Sequence, residues 1–422
     1  MIRVFNCSGK NYLFKLSQFL EKRKIRETKS NKIVTKILRE IKKNKIQALL
    51  KYEKKFSKNH QIKISKKKLD KTIKLLDPKI KKAIDFAYNR IFKFHLKQRL
   101  KLNDVLYKDS LNNKLEYKHV PIHSVGIYVP ANLPSTVLMN GIPAKLSNVK
   151  RIVLANPKLN GKLNSAVLYA AKKVGIKEIY SMGGAQAIGS LAYIQKVNKI
   201  IGPGNIYVTK AKRIVFGDVG IEGMIAGPSE ITVLADNKTN INEVITSLVS
   251  QAEHDINAQC ILVTKNIRLI KFVNNRISNY LKNLPRKDIV KKSLKKNGLL
   301  IKVSDDKQII KVINEIAPEH LELNVKNYNK YLNKIYNVGS VCIGNYSAMS
   351  VTDYNVGTNH VLPTMGSAKF SSGLNLNEFY KKISYINLSK KGIEVIGKKA
   401  ITLAEHEELK GHALSIKSRI RS

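Results

Sequence analysis

The sequence predicts an α/β protein built on parallel sheets, and three observations support this fold class. From residue 124 onward, short apolar segments such as R-I-V-L-A-N (151–156) alternate with segments of helical periodicity. Such alternation is typical of β-α-β units, which bind ligands at the carboxyl ends of their parallel strands. A second set of alternating segments spans residues 242–344 and indicates a second, similar domain. With 422 residues, the chain is long enough for more than one domain.

The elements follow in order along the chain. The first 120 residues are Lys-rich and helical in character, and Asp77 followed by Pro78 is a good helix start. In the first alternating set, helices are predicted to begin near residues 134, 162, 185 and 207. In the second set, helices are predicted over residues 242–258, 268–283 and 307–316. From about residue 374 the chain is polar and mainly helical.

The net charge is strongly positive, +47, from 77 Lys and Arg against 30 Asp and Glu. Basic proteins bind nucleic acids by releasing counterions from phosphates, so a nucleic-acid-binding protein is one hypothesis. However, the positive residues are mostly Lys, they are spread along the chain, and they accompany many Ile and Asn residues. These are residues of A/T-rich codons, so biased coding accounts for the composition. We therefore predict no specific nucleic-acid partner.

The cysteines and the apolar segments predict a cytoplasmic protein. Cys7, Cys260 and Cys342 are odd in number and far apart, which is typical of reduced thiols. Cys260 lies in the apolar strand pattern C-I-L-V-T, so we expect a buried small residue there and not a catalytic thiol. The N-terminus lacks the apolar core of a signal peptide, and no apolar run approaches membrane-spanning length.

Three segments between residues 202 and 255 indicate a binding site. G-P-G-N (202–205) and A-G-P-S-E (226–230) are turns that place Asn205 and Ser229 at the edges of apolar strands. S-Q-A-E-H-D (250–255) carries Gln251 and His254 within a helical pattern. Residues i and i+3 lie one above the other on a helix, so both side chains could reach one bound ion.

These segments, together with several others, resemble the histidinol dehydrogenase family. The resemblance covers the chain in order from about residue 125 to the C-terminus. Its further motifs are V-G-I-Y-V-P (125–130), G-G-A-Q-A-I (183–188), A-P-E-H-L-E-L (317–323), T-D-Y-N-V-G-T-N-H-V-L-P-T (352–364), G-S-A-K-F-S-S-G-L (366–374) and A-E-H-E-E-L-K-G-H-A (404–413).

The resemblance implies a cytoplasmic homodimer with shared active sites, made of two incomplete Rossmann-like domains, a helical N-terminal region and a C-terminal dimer arm. On this basis residues 1–25 are an N-terminal segment, and residues 26–124 plus 232–373 form a first α/β domain with the metal and catalytic residues. Residues 125–231 form a second α/β domain on the NAD side. Residues 374–422 form a helical arm exchanged in the dimer.

The resemblance also implies a zinc site that holds the substrate through its imidazole and amino nitrogens. An oxygen and nitrogen ligand set with two His suits Zn²⁺. The implied ligands are Gln251, His254, Asp353 and His412. Ser229, Glu407 and the catalytic His320 are implied to contact the substrate along with these ligands. His360, on a predicted loop, is a further candidate for substrate contact.

The implied activity is the NAD-linked oxidation of L-histidinol through the aldehyde to L-histidine. Glu319 and His320 follow Pro318, which should end the preceding helix. Without the resemblance, such a pair is usually an ordinary surface pair. His320 is suited to removing the alcohol proton, and Glu319 to activating water for aldehyde hydration if its surroundings raise its pKa.

The NAD site is the least visible feature of the sequence, because no G-x-G-x-x-G motif is present. The resemblance implies that Tyr128, Gln186 and Asn205 contact NAD. The segment between Gln186 and Asn205 is about four residues shorter than is usual in the family. Thr358 replaces a usual Pro, and Glu408 a usual Gly. A related dehydrogenase of another amino alcohol or of a sulfonated alcohol is the alternative function.

Overall fold

The computed structural model describes residues 2–23, 29–99, 104–223 and 227–420. Its strands are β1 (Arg3–Asn6), β2 (Val105–Lys108), β3 (Lys114–Pro121), β4 (Ser124–Tyr128), β5 (Arg151–Ala155), β6 (Glu178–Tyr180), β7 (Lys199–Ile201), β8 (Gly220–Ile221), β9 (Glu230–Ala235), β10 (Gln259–Thr264), β11 (Leu299–Lys302), β12 (His320–Asn324), β13 (Ser340–Ile343) and β14 (Tyr380–Asn387). Short 3-10 turns lie at Ser367–Lys369 and Leu376–Phe379.

The α-helices alternate with these strands over most of the chain. They are α1 (Tyr12–Glu21), α2 (Lys29–Ser57), α3 (Lys66–Ile73), α4 (Pro78–Arg99), α5 (Pro134–Leu146), α6 (Ser165–Val174), α7 (Gly184–Tyr193), α8 (Ile206–Val215), α9 (Ile241–Ala252), α10 (Ile267–Tyr280), α11 (Lys287–Asn297), α12 (Asp306–Ile316), α13 (Asn329–Leu332), α14 (Met349–Thr352), α15 (Lys390–His406) and α16 (Lys410–Lys417). None of the described helices is long and apolar enough to cross a membrane.

Two parallel sheets confirm the predicted α/β class. One sheet has six strands in the order β1-β11-β10-β9-β12-β13. The other has five strands in the order β6-β5-β4-β7-β8, so the chain winds outward in both directions from β4. All neighbouring pairs in both sheets are parallel.

The central strands of the two parallel sheets are buried on both faces. In β9, Ile231 and Val233 pack into one apolar core, whereas Leu234 packs into the core on the opposite face of the sheet. In β4, Ile127 and Tyr128 likewise belong to different cores. Such strands read as continuous apolar runs because parallel sheets are covered on both sides.

Helices α2 and α4 pack on the helices that cover the five-stranded sheet, α2 on α7 and α8 and α4 on α5 and α6. Leu38 and Leu49 of α2 lie in the core with α7 and β5, and Ile91 of α4 lies in the core with α5. The sequence grouped residues 26–124 with residues 232–373, whereas α2 and α4 contact helices of the five-stranded unit. The physical reason is α5, whose residues from Thr136 to Ala144 are all buried and therefore need cover on every side.

Both termini also contribute strands that the sequence did not predict. β1 pairs in parallel with β11 at the edge of the six-stranded sheet, so it is part of that sheet. The predicted boundary between residues 25 and 26 lies outside the described residues. β14 pairs with β3 in a three-stranded antiparallel sheet of order β14-β3-β2, and only after it does the C-terminal region become helical, as α15 and α16.

Candidate active site

A cavity of ≈ 190 Å³ is lined by residues of both α/β units. The unit built on the five-stranded sheet lines it with residues at the start of α5 and after β7, including Thr136 and Pro203. From the six-stranded unit it receives most of the predicted site residues. These are Ser229, Gln251, His254, Glu319, His320, Asp353 and His360.

The two units line this cavity with opposite edges of their parallel sheets. Pro203 follows the carboxyl end of β7, as expected for an open parallel sheet. Ser229 and Glu319, in contrast, directly precede β9 and β12, so the six-stranded sheet contributes its amino edge. The expectation of ligands at carboxyl ends is therefore wrong for this sheet. The sequence-adjacent residues Glu319 and His320 lie at the start of a buried strand and not at a free helix end.

Glu319 is buried, and its carboxylate is oriented by a backbone amide. The N–H of Glu230 donates to Glu319 Oε2 over 2.8 Å. Burial raises the pKa of Glu319 well above its usual value, and the negative charges of Glu230 and Asp353 add to this effect. Glu319 Oε1 lies 3.9 Å from Nε2 of His320. A raised pKa is the property that Glu319 needs if it is to activate water.

His320 is also buried, and its ring is poised between two carboxyl groups. Its Nε2 atom lies 3.9 Å from Asp353 Oδ1, in addition to its approach to Glu319. Burial lowers the pKa of His320 to about 3, and the neighbouring His360 and His254 contribute in the same direction. The imidazole is therefore neutral near pH 7, which leaves a lone pair that can accept a proton.

Three of the four predicted metal ligands line the cavity together. Gln251 Oε1 is buried and has no hydrogen-bond partner among the residues that the structure describes. Nε2 of His254 lies 4.0 Å from Oδ2 of Asp353, and burial raises the pKa of Asp353 to about 7. A cation at this point would satisfy the unpartnered amide oxygen and stabilise the ionised carboxylate. The donor set therefore fits Zn²⁺, although no cluster of three His, Cys, Asp or Glu that could hold a metal is found among the described residues of one chain.

His254 is not on the helix that carries Gln251. Helix α9 ends at Ala252, before the end predicted from the sequence, and Glu253 is its C-cap. The backbone N–H of His254 still donates to Gln251 O over 3.3 Å, so a turn keeps the two residues close. Both residues line the cavity, but the prediction that one helix carries both of them is wrong.

His360 is fixed by the backbone of a predicted metal ligand. Its Nδ1–H donates to the carbonyl oxygen of Asp353 over 2.7 Å. A carbonyl can only accept, so Nε2 is the ring atom left to accept a proton or hydrogen bond. Burial lowers the pKa of His360 to about 4. Since His360 lines the cavity, it can contact a bound substrate, as the sequence suggested.

Glu407 and His412 do not line the cavity of their own chain. Glu407 is the C-cap of α15 and His412 lies in α16, and both residues are exposed. Helices α15 and α16 pack against each other, and α15 is attached to the three-stranded sheet by its N-cap Ser389, whose Oγ donates to Leu111 O. The two residues are therefore available to a site outside their own chain.

The residues predicted to contact NAD line a second cavity, of ≈ 470 Å³, at the carboxyl ends of β4, β5, β6 and β7. Tyr128, Gln186 and Asn205 all lie on it. The G-P-G-N turn approaches Tyr128 closely, because Gly202 has φ of 106° and a Cβ there would overlap the carbonyl oxygen of Tyr128. Pro203 of the same turn lines the smaller cavity, so one turn borders both.

Asn205 and Gln186 also have structural roles at this cleft. Asn205 is the N-cap of α8, and its side-chain oxygen accepts from the N–H groups of Tyr207 and Val208 over 3.1 and 3.2 Å. Gln186 Nε2 donates to Oε1 of the buried Glu53 over 2.9 Å. Burial raises the pKa of Glu53, whereas its hydrogen bonds oppose that rise.

Several charged residues at these cavities were not found from the sequence. Glu230 supports Glu319, and its own Oε1 accepts from Arg23 Nη1 over 2.8 Å. Lys212 and Glu222 form a buried ion pair over 2.5 Å, and Glu222 lines the smaller cavity. Glu230 completes the A-G-P-S-E motif, so its position next to Ser229 was a usable signal. Nothing in the surrounding sequence distinguishes Arg23 or the pair.

Cys260 is placed as the sequence predicted. It is completely buried in β10, and burial raises the pKa of its thiol to about 12. All three cysteines are buried and unpaired. A nucleophilic cysteine needs a thiolate that substrate can reach, and Cys260 meets neither requirement.

The two sheets and the polar cavity between them define an α/β enzyme with a buried glutamate–histidine pair beside a nucleotide-sized cleft. A family model described as histidinol dehydrogenase matches residues 20–420. The chain is 56% identical to histidinol dehydrogenase of Pelagibacter ubique (strain HTCC1062), with 100% of each chain covered. It is 42% identical to the enzyme of Acinetobacter baylyi (strain ATCC 33305 / BD413 / ADP1), covering 85% of this chain and 84% of the relative.

Structural similarity gives the same result. The crystal structure of histidinol dehydrogenase from Elizabethkingia anophelis matches with a TM-score of 0.91 and 38% identity, covering 99% of this chain and 98% of that one. The chain belongs to the histidinol dehydrogenase family, whose members are NAD-dependent oxidoreductases. The resemblance seen in the sequence is thereby confirmed.

Proposed function

We propose that this protein oxidises L-histidinol to L-histidine in two NAD-linked steps through the aldehyde, as the last reaction of histidine biosynthesis. The observation that carries the proposal is the convergence of an acid–base pair and three potential metal ligands on one cavity, next to a nucleotide-sized cleft. Family membership supports the choice of substrate. Zinc and NAD are part of the proposal.

Gln251, His254 and Asp353 would hold the zinc ion, with His412 from a second subunit as the fourth ligand. The unpartnered Gln251 Oε1 and the close approach of His254 to Asp353 support this assignment. When bound, the cation would orient the substrate as a Lewis acid. Ser229 lines the same cavity and offers a hydroxyl to the substrate.

His320 would act as the base of the first oxidation. Its neutral imidazole can take the proton of the alcohol hydroxyl at Nε2, the ring atom that faces Glu319 and Asp353. Its surroundings exclude bulk water, because the side chain is 3% exposed. When bound, NAD accepts a hydride in each of the two oxidations.

Glu319 would act as the base for hydration of the aldehyde. Its Oε2 atom is held by the N–H of Glu230, which leaves Oε1 to take a proton from water. The burial that raises the pKa of Glu319 makes its carboxylate a stronger base. The hydrated aldehyde then carries a hydroxyl whose proton His320 can remove in the second oxidation.

We further propose a homodimer with the arm of one subunit completing the site of the other. Helices α15 and α16 expose large apolar side chains, including Leu403 at 62% and Leu414 at 65%. The three-stranded sheet beside them exposes Leu106 and Ile386 at 67% and 70%. Apolar surface of this extent is typical of an interface between subunits. Glu407 and His412 would reach the neighbouring cavity in this way.

A cytoplasmic location is part of the same proposal. The three cysteines are unpaired and buried in the structure. Proteins of oxidising compartments more often pair their cysteines in disulfides. This observation supports a reducing compartment, where histidine is made.

The reaction is tested by its stoichiometry. We expect two molecules of NADH for each L-histidinol consumed, because both oxidations occur at one site. Absorbance of NADH and chromatography of the amino acids measure the ratio directly. Other amino alcohols and sulfonated alcohols serve as comparison substrates. Faster turnover of one of these, or a ratio of one with accumulated aldehyde, would contradict the proposal.

Replacing Glu319 should separate the two steps. Glu319→Gln should slow oxidation of supplied histidinaldehyde more than oxidation of histidinol to the aldehyde, because only hydration needs the carboxylate. Loss of a positioned base costs about 10²–10⁴-fold. His320→Asn should slow both steps. Rapid-mixing kinetics started from each substrate measure the two steps, and an equal loss on both substrates in both variants would refute this division of roles.

A further inference from the structure

A carboxylate occupies the N-terminus of α7 within the nucleotide cleft. Helix α7 begins at Gly184, and its N-cap Gly183 has no side chain that could cap it. Glu53, from the second half of α2, takes this role: its Oε1 atom accepts from the N–H of Gly183 over 2.9 Å. Glu53 is 1% exposed. A helix N-terminus normally attracts anions, so this position is already filled by the protein's own anion.

The same carboxylate fixes the orientation of the Gln186 amide. Oε1 of Glu53 also accepts from Gln186 Nε2 over 2.9 Å, so the donor end of the amide is used internally. A Cβ built on Gly184 would lie 3.0 Å from Gln186 Oε1, which places this oxygen at the first residue of α7. Gly184 and Gln186 both line the cleft. Gln186 Oε1 is therefore a hydrogen-bond acceptor at this wall of the cleft, and the negatively charged Glu53 lies directly behind it.

This part of the cleft corresponds to the place where doubly wound dinucleotide folds bind the adenosine ribose. It lies beyond the carboxyl ends of β5 and β6, on the side of the sheet away from β7. In doubly wound dinucleotide folds an acidic residue near the second strand binds the 2′-hydroxyl of this ribose in NAD enzymes. Here Pro157 and Lys158 follow β5 in place of an acid, and Lys158 Nζ donates to Asn59 Oδ1 over 2.7 Å.

We propose that Glu53 determines the choice of cofactor, selecting NAD over NADP. It does so by holding Gln186 so that Oε1 accepts a hydrogen bond from a ribose hydroxyl, and by repelling a phosphate at the 2′ position. The inference rests on the proposed function only in that NAD binds in this cleft. Glu53 is a positioning residue, because it acts on the nucleotide through Gln186 and through its charge.

Binding of two nucleotide fragments tests the inference without turnover. ADP-ribose and its 2′-phosphorylated form are titrated into the protein and followed by calorimetry. The wild-type protein should bind the phosphorylated fragment at least about tenfold more weakly, since like charges at close range disfavour binding. Glu53→Gln keeps an acceptor oxygen for the hydrogen bonds from Gly183 and Gln186 and removes the charge. It should bind ADP-ribose normally and bring the two affinities within about threefold of each other.

Two further variants separate charge from orientation. Glu53→Met loses the acceptor and frees the Gln186 amide, so it should also weaken ADP-ribose binding and raise the KM for NAD at an unchanged kcat. Glu178→Gln is the matched control: it removes a carboxylate at the opposite end of β6, where Glu178 pairs with Arg151 over 2.7 Å. This control should keep the discrimination of the wild-type protein.

The outcomes distinguish this inference from the proposed function. Equal binding of the two fragments by wild-type protein, or unchanged discrimination in a folded Glu53→Gln variant, would overturn the role of Glu53 and leave the dehydrogenase assignment intact. If neither fragment binds to protein that still turns over with NAD, the nucleotide does not bind in this cleft. That outcome would overturn the inference.

Discussion

Removal of the bound metal should abolish turnover while the protein stays folded. The proposed ligands Gln251, His254 and Asp353 surround a cavity, whereas the apolar cores lie on the faces of the two sheets. The proposed cation would therefore orient the substrate without holding the core together. His254→Ala should have the same effect as a chelator. Loss of residues that merely support a ligand costs about 10–100-fold, so loss of a ligand should cost at least that much.

This prediction is tested by measuring metal content, activity and thermal unfolding on the same samples. The chelated protein and the His254→Ala variant should contain less than one metal ion per site and should unfold within a few degrees of the wild-type protein. The exposed His60 provides a control, because His60→Ala removes an imidazole that does not line the cavity. Full activity in protein shown to be metal-free would exclude the proposed role of zinc. Readdition of Zn²⁺ should restore turnover to the chelated protein but not to the variant.

The sequence predicted which residues line the cavity better than it predicted how they are arranged there. Glu319 and His320 lie in a long motif, and each supplies a group whose reactivity depends mainly on its own type and burial. Their burial was not foreseeable from the local sequence, in which such a pair is usually an ordinary surface pair. Their location at the amino edge of a sheet was not foreseeable either, since it depends on how the two α/β units face each other.

The hydrogen bonds that Glu53 of α2 accepts from Gly183 and Gln186 could not be predicted from local patterns. Glu53 lies in a Lys-rich amphipathic helix, and a lone Glu in such a sequence is normally a solvated residue. Its function arises because α2 packs on α7 and brings the carboxylate to Gly183. That contact joins residues 130 positions apart, and helical periodicity contains no information about it. The contacts of α4 with α5 and α6 are likewise long-range and leave no trace in helical periodicity.

Mixing two inactive variants should restore activity if the arm crosses between subunits. Gln251 lies in the cavity of its own chain, whereas His412 lies on the exposed arm, outside that cavity. In a dimer with exchanged arms, one working site therefore combines Gln251 of one chain with His412 of the other. Gln251→Ala and His412→Asn homodimers each carry one lesion in every site and should be inactive.

Unfolding the two variants together and refolding them in equal amounts should return about a quarter of the wild-type activity. By the symmetry of a two-fold dimer, about half of the dimers are mixed, and each mixed dimer has one doubly damaged site and one intact site. Mixing Gln251→Ala with His254→Ala is the matched control, because both residues line the same cavity of one chain. Every site in that mixture keeps a lesion, so it should stay inactive. If the first mixture also stays inactive although mixed dimers are detected by mass spectrometry, His412 serves its own chain or no site at all. Recovery in the first mixture alone would establish that each active site is built from two subunits, because no arrangement within one chain can produce an undamaged site from these two variants.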